Sequence, residues 1–136
     1  MKRSLAVMLG AAALALALAI PASASTRVPF SLTKTCDNLG TCTVTASDTP
    51  VLPVGSTETY LGPQFGDPVL SSRVLITSSY AGGGTATGHC TWPLRTASGT
   101  CTFAQGTGSL AGFHANLTVT TNADFSFFFW DGTFQL

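Results

Sequence analysis

The hydrophobic and polar positions of this chain alternate with a period of two, most clearly in its last third. Phe113, Ala115, Leu117 and Val119 fall on one face of an extended segment, with His114, Asn116, Thr118 and Thr120 on the other. After the polar stretch Thr121-Asn122-Ala123-Asp124 a second run follows. Phe128, Trp130, Phe134 and Leu136 share one parity in it, and Phe125, Phe127 and Phe129 the other. The pattern predicts a β-hairpin of Phe113–Val119 with Phe125–Trp130. A tight turn centred on Asn122-Ala123 would set Leu117 opposite Phe128, Ala115 opposite Trp130 and His114 opposite Asp131. Because the final strand is apolar on both faces through Phe129, each face needs cover, from a second layer or from a partner.

The earlier chain reads the same way. Strands are expected over Val28–Thr35, Thr41–Ala46, Glu58–Leu61, Arg73–Tyr80, Thr85–Leu94 and Gly99–Ala104. Turn sequences lie between them, and Ser47–Gly55, with Pro50 and Pro53, reads as an irregular crossing. Pro29 stands near the start of its strand, where the missing N–H is tolerated. No segment after residue 24 carries a 3.6-residue apolar period over ten or more residues. The fold class is therefore all-β, with seven or eight strands. An antiparallel sheet of that size hides its edges best by closing, so a single antiparallel β-barrel leads and a β-sandwich is the alternative.

Residues 1–24 stand apart. Lys2 and Arg3 precede an Ala/Leu run from Leu5 to Ile20, and Ala22-Ser23-Ala24 gives the small-residue cleavage pattern of a secretory signal peptide. The run is shorter than the roughly 20 residues a bilayer span needs, and no basic stop-transfer cluster follows it. The expectation is a secreted domain, 25–136, released by cleavage after Ala24 and without a membrane span. That domain holds four basic residues against six acidic ones, a balance of −2. So sparse and slightly acidic a surface offers no phosphate-neutralising patch, which argues against nucleic acid as partner.

Four cysteines in an exported chain imply two disulfides, with three possible connectivities. Local spacing favours Cys36–Cys42, across the turn Asp37-Asn38-Leu39-Gly40, and Cys90–Cys101. Parity supports the second pair: Cys90, Trp92 and Leu94 share a face, as do Cys101 and Phe103, so the bridge would gather the large apolar side chains on one side. A four-thiolate metal site needs C-x₂₋₄-C pairs, which neither spacing supplies.

The stretch CTFAQGTGSLAGFHANLTVT and the closing FFFWDGTFQL resemble small secreted actinobacterial proteins with allene oxide cyclase-like and dirigent-like barrels. The likeness rests on Gly106, Thr107, Gly108, Ala111, Gly112, Trp130, Gly132 and Thr133. It covers about 35 residues and implies an eight-stranded antiparallel barrel, often oligomeric. No catalytic residue of those families maps onto this chain.

Candidate chemistry is thin. The glycine connector Gly106–Gly112 lacks the Lys-Ser/Thr and helix of a phosphate loop, so its glycines read as aids to a bend and a close backbone approach. No G-x-S-x-G elbow is present, and His89 and His114 are too few for a metal site. His89 is expected to face solvent. The strongest polar constellation is His114 with Asp131 and Asn116, which reads more readily as an ordinary cross-strand pair than as acid–base machinery. Tyr60, Tyr80, Trp92, Phe125, Phe127 and Phe129 are the aromatics for a ligand cavity or an interface. No cofactor is called for. The functional expectation is extracellular binding or assembly, with a homo-oligomer or a small hydrophobic ligand as partner. The alternatives are a carrier or a cyclase- or dirigent-like enzyme acting inside the barrel, and a structural envelope protein.

Overall fold

The computed structural model describes residues 25–66, 69–93 and 95–136. The signal-peptide reading of residues 1–24, and those of Asp67, Pro68 and Leu94 in their turn and strand, lie outside the described residues. Eight strands run in chain order: β1 Val28–Cys36, β2 Thr41–Ser47, β3 Thr57–Gly66, β4 Val69–Ser78, β5 Gly84–Pro93, β6 Ser98–Ala104, β7 His114–Thr121 and β8 Phe128–Gln135. Each pairs antiparallel with the next, and β8 pairs back onto β1, closing the barrel. Closure removes both sheet edges, which a chain with so few surface charges has little other means of protecting.

Alternation assigns the inward face. Phe30, Leu32 and Lys34 of β1 point inward, as do Cys42 and Val44 of β2, and Val74, Ile76 and Ser78 of β4. Cys101 and Phe103, then Ala115, Leu117 and Val119, then Trp130 and Phe134 continue the lining through β6, β7 and β8. β3 is longer than its sequence implies. Instead of ending at Gly62-Pro63 it passes through an irregularity between Leu61 and Gln64, with Gly62 at φ +68° taking up the bend.

Glycines make room for the large side chains on the inner face. Gly88 lies opposite Phe103, and a Cβ there would come within 2.3 Å of the Phe103 ring. Gly132 lies opposite Leu117, with 2.7 Å to the Leu117 Cβ. Small against large across one hydrogen-bonded pair lets eight strands close around a solid aromatic core. Phe30 meets Phe134 edge-on at 5.5 Å, Phe134 stacks on Phe113 at 5.7 Å, and Phe103 lies 5.3 Å from Trp130.

The two ends of the barrel differ. At one end the connections fold inward as a cap. The β2–β3 crossing buries Leu52, and Ser78 Oγ donates to the Val51 carbonyl at 2.7 Å to hold it. The β6–β7 connector forms a single 3₁₀ turn, Gly108–Leu110, and buries Leu110 and Phe113 completely. It is tied to the start of β5 through Thr107 N–H to Thr85 O at 2.7 Å and Ser109 N–H to Gly83 O at 2.8 Å. The glycine connector is thus a structural plug. At the other end lie the hairpin turns after β1, β5 and β7, and there the described residues leave the barrel open.

The last hairpin keeps its predicted faces but not its predicted register. Leu117 pairs with Gly132, Val119 with Trp130, and His114 with Gln135, a displacement of four residues along β8. The cause is the turn, which has six residues between Thr121 and Phe128 instead of a tight pair. Asn122 Oδ1 accepts from Phe127 N–H at 2.9 Å and Asn122 Nδ2 donates to Ser126 Oγ at 2.7 Å. Ser126 Oγ in turn donates to Asp124 Oδ1 at 2.7 Å, and Phe125 sits at φ +58°. Side-chain hydrogen bonds therefore build the loop. An even displacement preserves parity, so Leu117 and Trp130 still point inward. Phe125 and Phe127 leave the strand for the loop.

Candidate functional site

The open end holds a cavity of about 490 Å³. Its floor and walls come from inward positions near the strand ends: Tyr60 of β3, Leu70 of β4, Trp92 of β5, Val119 of β7 and Phe128 of β8. The β1–β2 turn, Asp37–Gly40, stands at its rim. Trp92 and Phe128 meet edge-on at 6.2 Å. All four cysteines also line it, as the disulfides Cys36–Cys42 and Cys90–Cys101. Both pairings follow the sequence expectation. The bridges pin β1 to β2 and β5 to β6 near the mouth, where hairpin ends would otherwise fray. Asp37 makes the first of these turns: its Oδ1 accepts from Leu39 N–H at 2.9 Å and Thr41 N–H at 2.8 Å.

Between this cavity and the aromatic core lies a buried ion pair, Lys34 with Glu58. Lys34 is 1 % exposed and Glu58 2 %. The Lys34 ammonium lies 4.2 Å from the centroid of the Trp130 ring and donates to Tyr60 Oη at 3.4 Å. The second carboxylate oxygen of Glu58 is 3.8 Å from Cys90 Sγ. Tyr60 and Cys90 thus form the partition between charge pair and cavity. Burial pushes the Lys34 ammonium well below its ordinary pKa, and it pushes the Tyr60 phenol up to about 12. Tyr60 is therefore a neutral hydroxyl over the whole physiological range.

Sequence reasoning passed over Lys34 and Glu58. The signal was present in part: Lys34 continues the inward parity of Phe30 and Leu32, so a charge was due inside the sheet. Its partner could not be read off, because Glu58 is 24 residues away on a strand that does not neighbour β1.

The named candidates separate. His114, Asn116 and Asp131 all face outward, but the register sets Asp131 opposite Thr118, Asn116 opposite Thr133 and His114 opposite Gln135. Four residues along the strands is about 13 Å, so His114 and Asp131 do not form the expected pair. Asp131 instead accepts from Ser31 Oγ at 2.6 Å. His89 is exposed as expected, and its Nε2 lies 2.7 Å from Ser71 Oγ. Of the aromatics, Tyr60 and Trp92 line the cavity. Tyr80 is exposed in the β4–β5 turn at the capped end. Phe125, Phe127 and Phe129 are 61, 43 and 36 % exposed and lie outside the cavity. Among the described residues one group of metal-ligand types converges, Glu58 with Cys90 and Cys101, and both of its sulfurs are consumed in the disulfide.

Fold and site together define a closed eight-stranded up-and-down barrel, capped at one end and open at the other over a buried ion pair. No family model matches the chain, and no curated protein or solved structure matches it either. Among the described residues no helix is long and apolar enough to cross a membrane.

Proposed function

We propose that this protein is an exported binding protein that holds a small, largely apolar molecule in the mouth of its barrel. The observation that carries the reading is the cavity itself. At about 490 Å³ it falls within the range of roughly 300–1,000 Å³ typical of small-molecule sites. Its wall is chiefly aromatic, aliphatic and sulfur, with Tyr60 and the buried Ser72 as polar side chains within it and Asp37 and Asn38 at the rim. Two disulfides and the leader-like first 24 residues support an extracellular setting. The resemblance of the last third to cyclase- and dirigent-like barrels implies a small hydrophobic molecule within the barrel, in keeping with this reading.

Titration with N-phenyl-1-naphthylamine tests the reading, since the dye brightens on entering an apolar site. The wild type should bind one equivalent. Leu70→Trp, which fills the mouth, should weaken binding at least tenfold with the circular-dichroism spectrum unchanged. Equal binding by the two proteins would place the dye elsewhere and remove the support.

A second reading, assembly through an aromatic surface, is favoured by one observation: Phe125, Phe127 and Phe129 are exposed close together in sequence. Sedimentation velocity across a hundredfold concentration range should then show a self-associating species that Phe125→Ser/Phe127→Ser abolishes. A monomer at every concentration would end this reading.

A further inference from the structure

Resting on the ligand-binding reading of the barrel mouth, the geometry points to a ligand class: we propose that the bound molecule presents a neutral carbonyl-type acceptor to the Tyr60 hydroxyl. Tyr60 Oη receives the Lys34 ammonium at 3.4 Å on its lone-pair side. Its own O–H meets no acceptor among the described residues, although the side chain lines the cavity. A half-buried hydroxyl with a free proton is a donor waiting for a partner, and an apolar wall around it makes the unmade bond costly.

Charge balance narrows the ligand further. Among the described residues the ionised groups at the floor are Lys34 and Glu58, and they neutralise each other. An anionic head would meet no free cation among the described lining residues, while the Asp37 carboxylate stands at the rim. A cationic head would find the Tyr60 oxygen already receiving Lys34, and Asp37 Oδ1 accepting from two backbone N–H groups of its own turn. A hydroxyl head needs a second partner for its own proton, for which the buried lining offers Ser72 Oγ, itself donating to the Arg73 carbonyl at 2.8 Å. A carbonyl needs nothing beyond the Tyr60 proton, so the simplest fit is an acceptor without a donor: a ketone, aldehyde, ester or lactone on an apolar body. The ammonium behind Tyr60 polarises the phenol and strengthens its hydrogen bond to such an oxygen.

Isothermal titration calorimetry on the oxidised protein tests this with a matched pair, 2-acetylnaphthalene and 2-isopropenylnaphthalene, which differ by C=O against C=CH₂. Tyr60→Phe should weaken the ketone about three- to tenfold, the worth of one neutral hydrogen bond, and leave the alkene within twofold. If both probes bind and Tyr60→Phe affects neither selectively, the carbonyl assignment is overturned and the mouth remains a ligand site. If the wild type binds neither probe nor N-phenyl-1-naphthylamine, the site reading itself fails. A second measurement needs no variant. 2-Naphthoate and 2-naphthylmethylammonium should each bind the wild type at least tenfold more weakly than the ketone, and either binding more tightly than the ketone would refute the charge argument.

Discussion

Replacing Glu58 by Gln keeps the shape of the barrel interior while removing the charge that compensates Lys34. The side chains on both sides of the pair are almost fully buried, and among the described residues no other carboxylate hydrogen-bonds to Lys34. An orphaned ammonium there escapes its desolvation cost by releasing its proton. From an unfolded-state lysine pKa of about 10.4, that release costs about 4–5 kcal/mol at pH 7. The figure agrees with the roughly 3–5 kcal/mol seen when one member of a buried pair is removed. The sign of the pH dependence follows from burial, which lowers the folded-state pKa of Lys34. Between that lowered value and about 10.4 the unfolded chain binds more protons, so stability is fully present above this window and is lost as pH falls through it. Without Glu58 the window opens further toward low pH. The stability of Glu58→Gln itself should therefore rise by a little over 1 kcal/mol per pH unit between pH 7 and 9. Urea unfolding of the oxidised protein, followed by tryptophan fluorescence at pH 7, 8 and 9, measures it directly. Lys34→Met/Glu58→Leu is the control, expected to lie between neutral and about 4 kcal/mol more stable than wild type. A Glu58→Gln deficit under about 1 kcal/mol, with the variant's stability flat with pH, would mean that the pair is solvated and that no charged floor exists.

Three further outcomes are expected. Gly88→Ala, whose new methyl would meet the Phe103 ring at 2.3 Å and the Thr102 carbonyl oxygen at 2.4 Å, should cost about 1–3 kcal/mol by overpacking, read from the same urea midpoints; an unchanged midpoint would show that β5 and β6 can shift apart locally to admit it. Converting Cys90 and Cys101 to Ala should cost about 3 kcal/mol and converting Cys36 and Cys42 about 2 kcal/mol, the order set by loops of 11 and 6 residues, and the reverse order in thermal melts would contradict this. In a Tyr80→Phe background Tyr60 is the remaining tyrosine, and absorbance at 295 nm should report its ionisation near pH 12. Because that folded-state value is raised, its contribution to stability is intact below about pH 10 and disappears as pH climbs toward 12. Ionisation at an ordinary pH would place the phenol in water, away from the cavity floor.

The secondary structure and its faces were legible because a strand's inward and outward positions are a local property. Leu117-Val119 and Cys101-Phe103 needed only their own alternation to declare a buried face, and the same parity put Cys90 in reach of Cys101. The hairpin register was not legible. It depended on whether Asn122, Asp124 and Ser126 would bond to one another, and six loop residues did so where a two-residue turn was expected. The cavity was half visible, since Tyr60 and Trp92 stood among the named aromatics while Leu70, Val119 and Phe128 did not. The cross-strand pairing of His114 with Asp131 failed with the register it assumed.

By itself, then, the sequence determined an all-β chain of seven or eight alternating stretches, a preference for two local disulfides and a set of residues that must face inward. Only the tertiary structure decided which of those inward residues meet. The curvature of the closed sheet brought Lys34 of β1 and Glu58 of β3 together over β2, across strands that share no hydrogen bonds with each other. The fold drove Leu52, Leu110 and Phe113 into one end as a plug and left the other end hollow. Alternation fixes a direction for each side chain, whereas the contents of a barrel depend on curvature and on connections that no local pattern encodes.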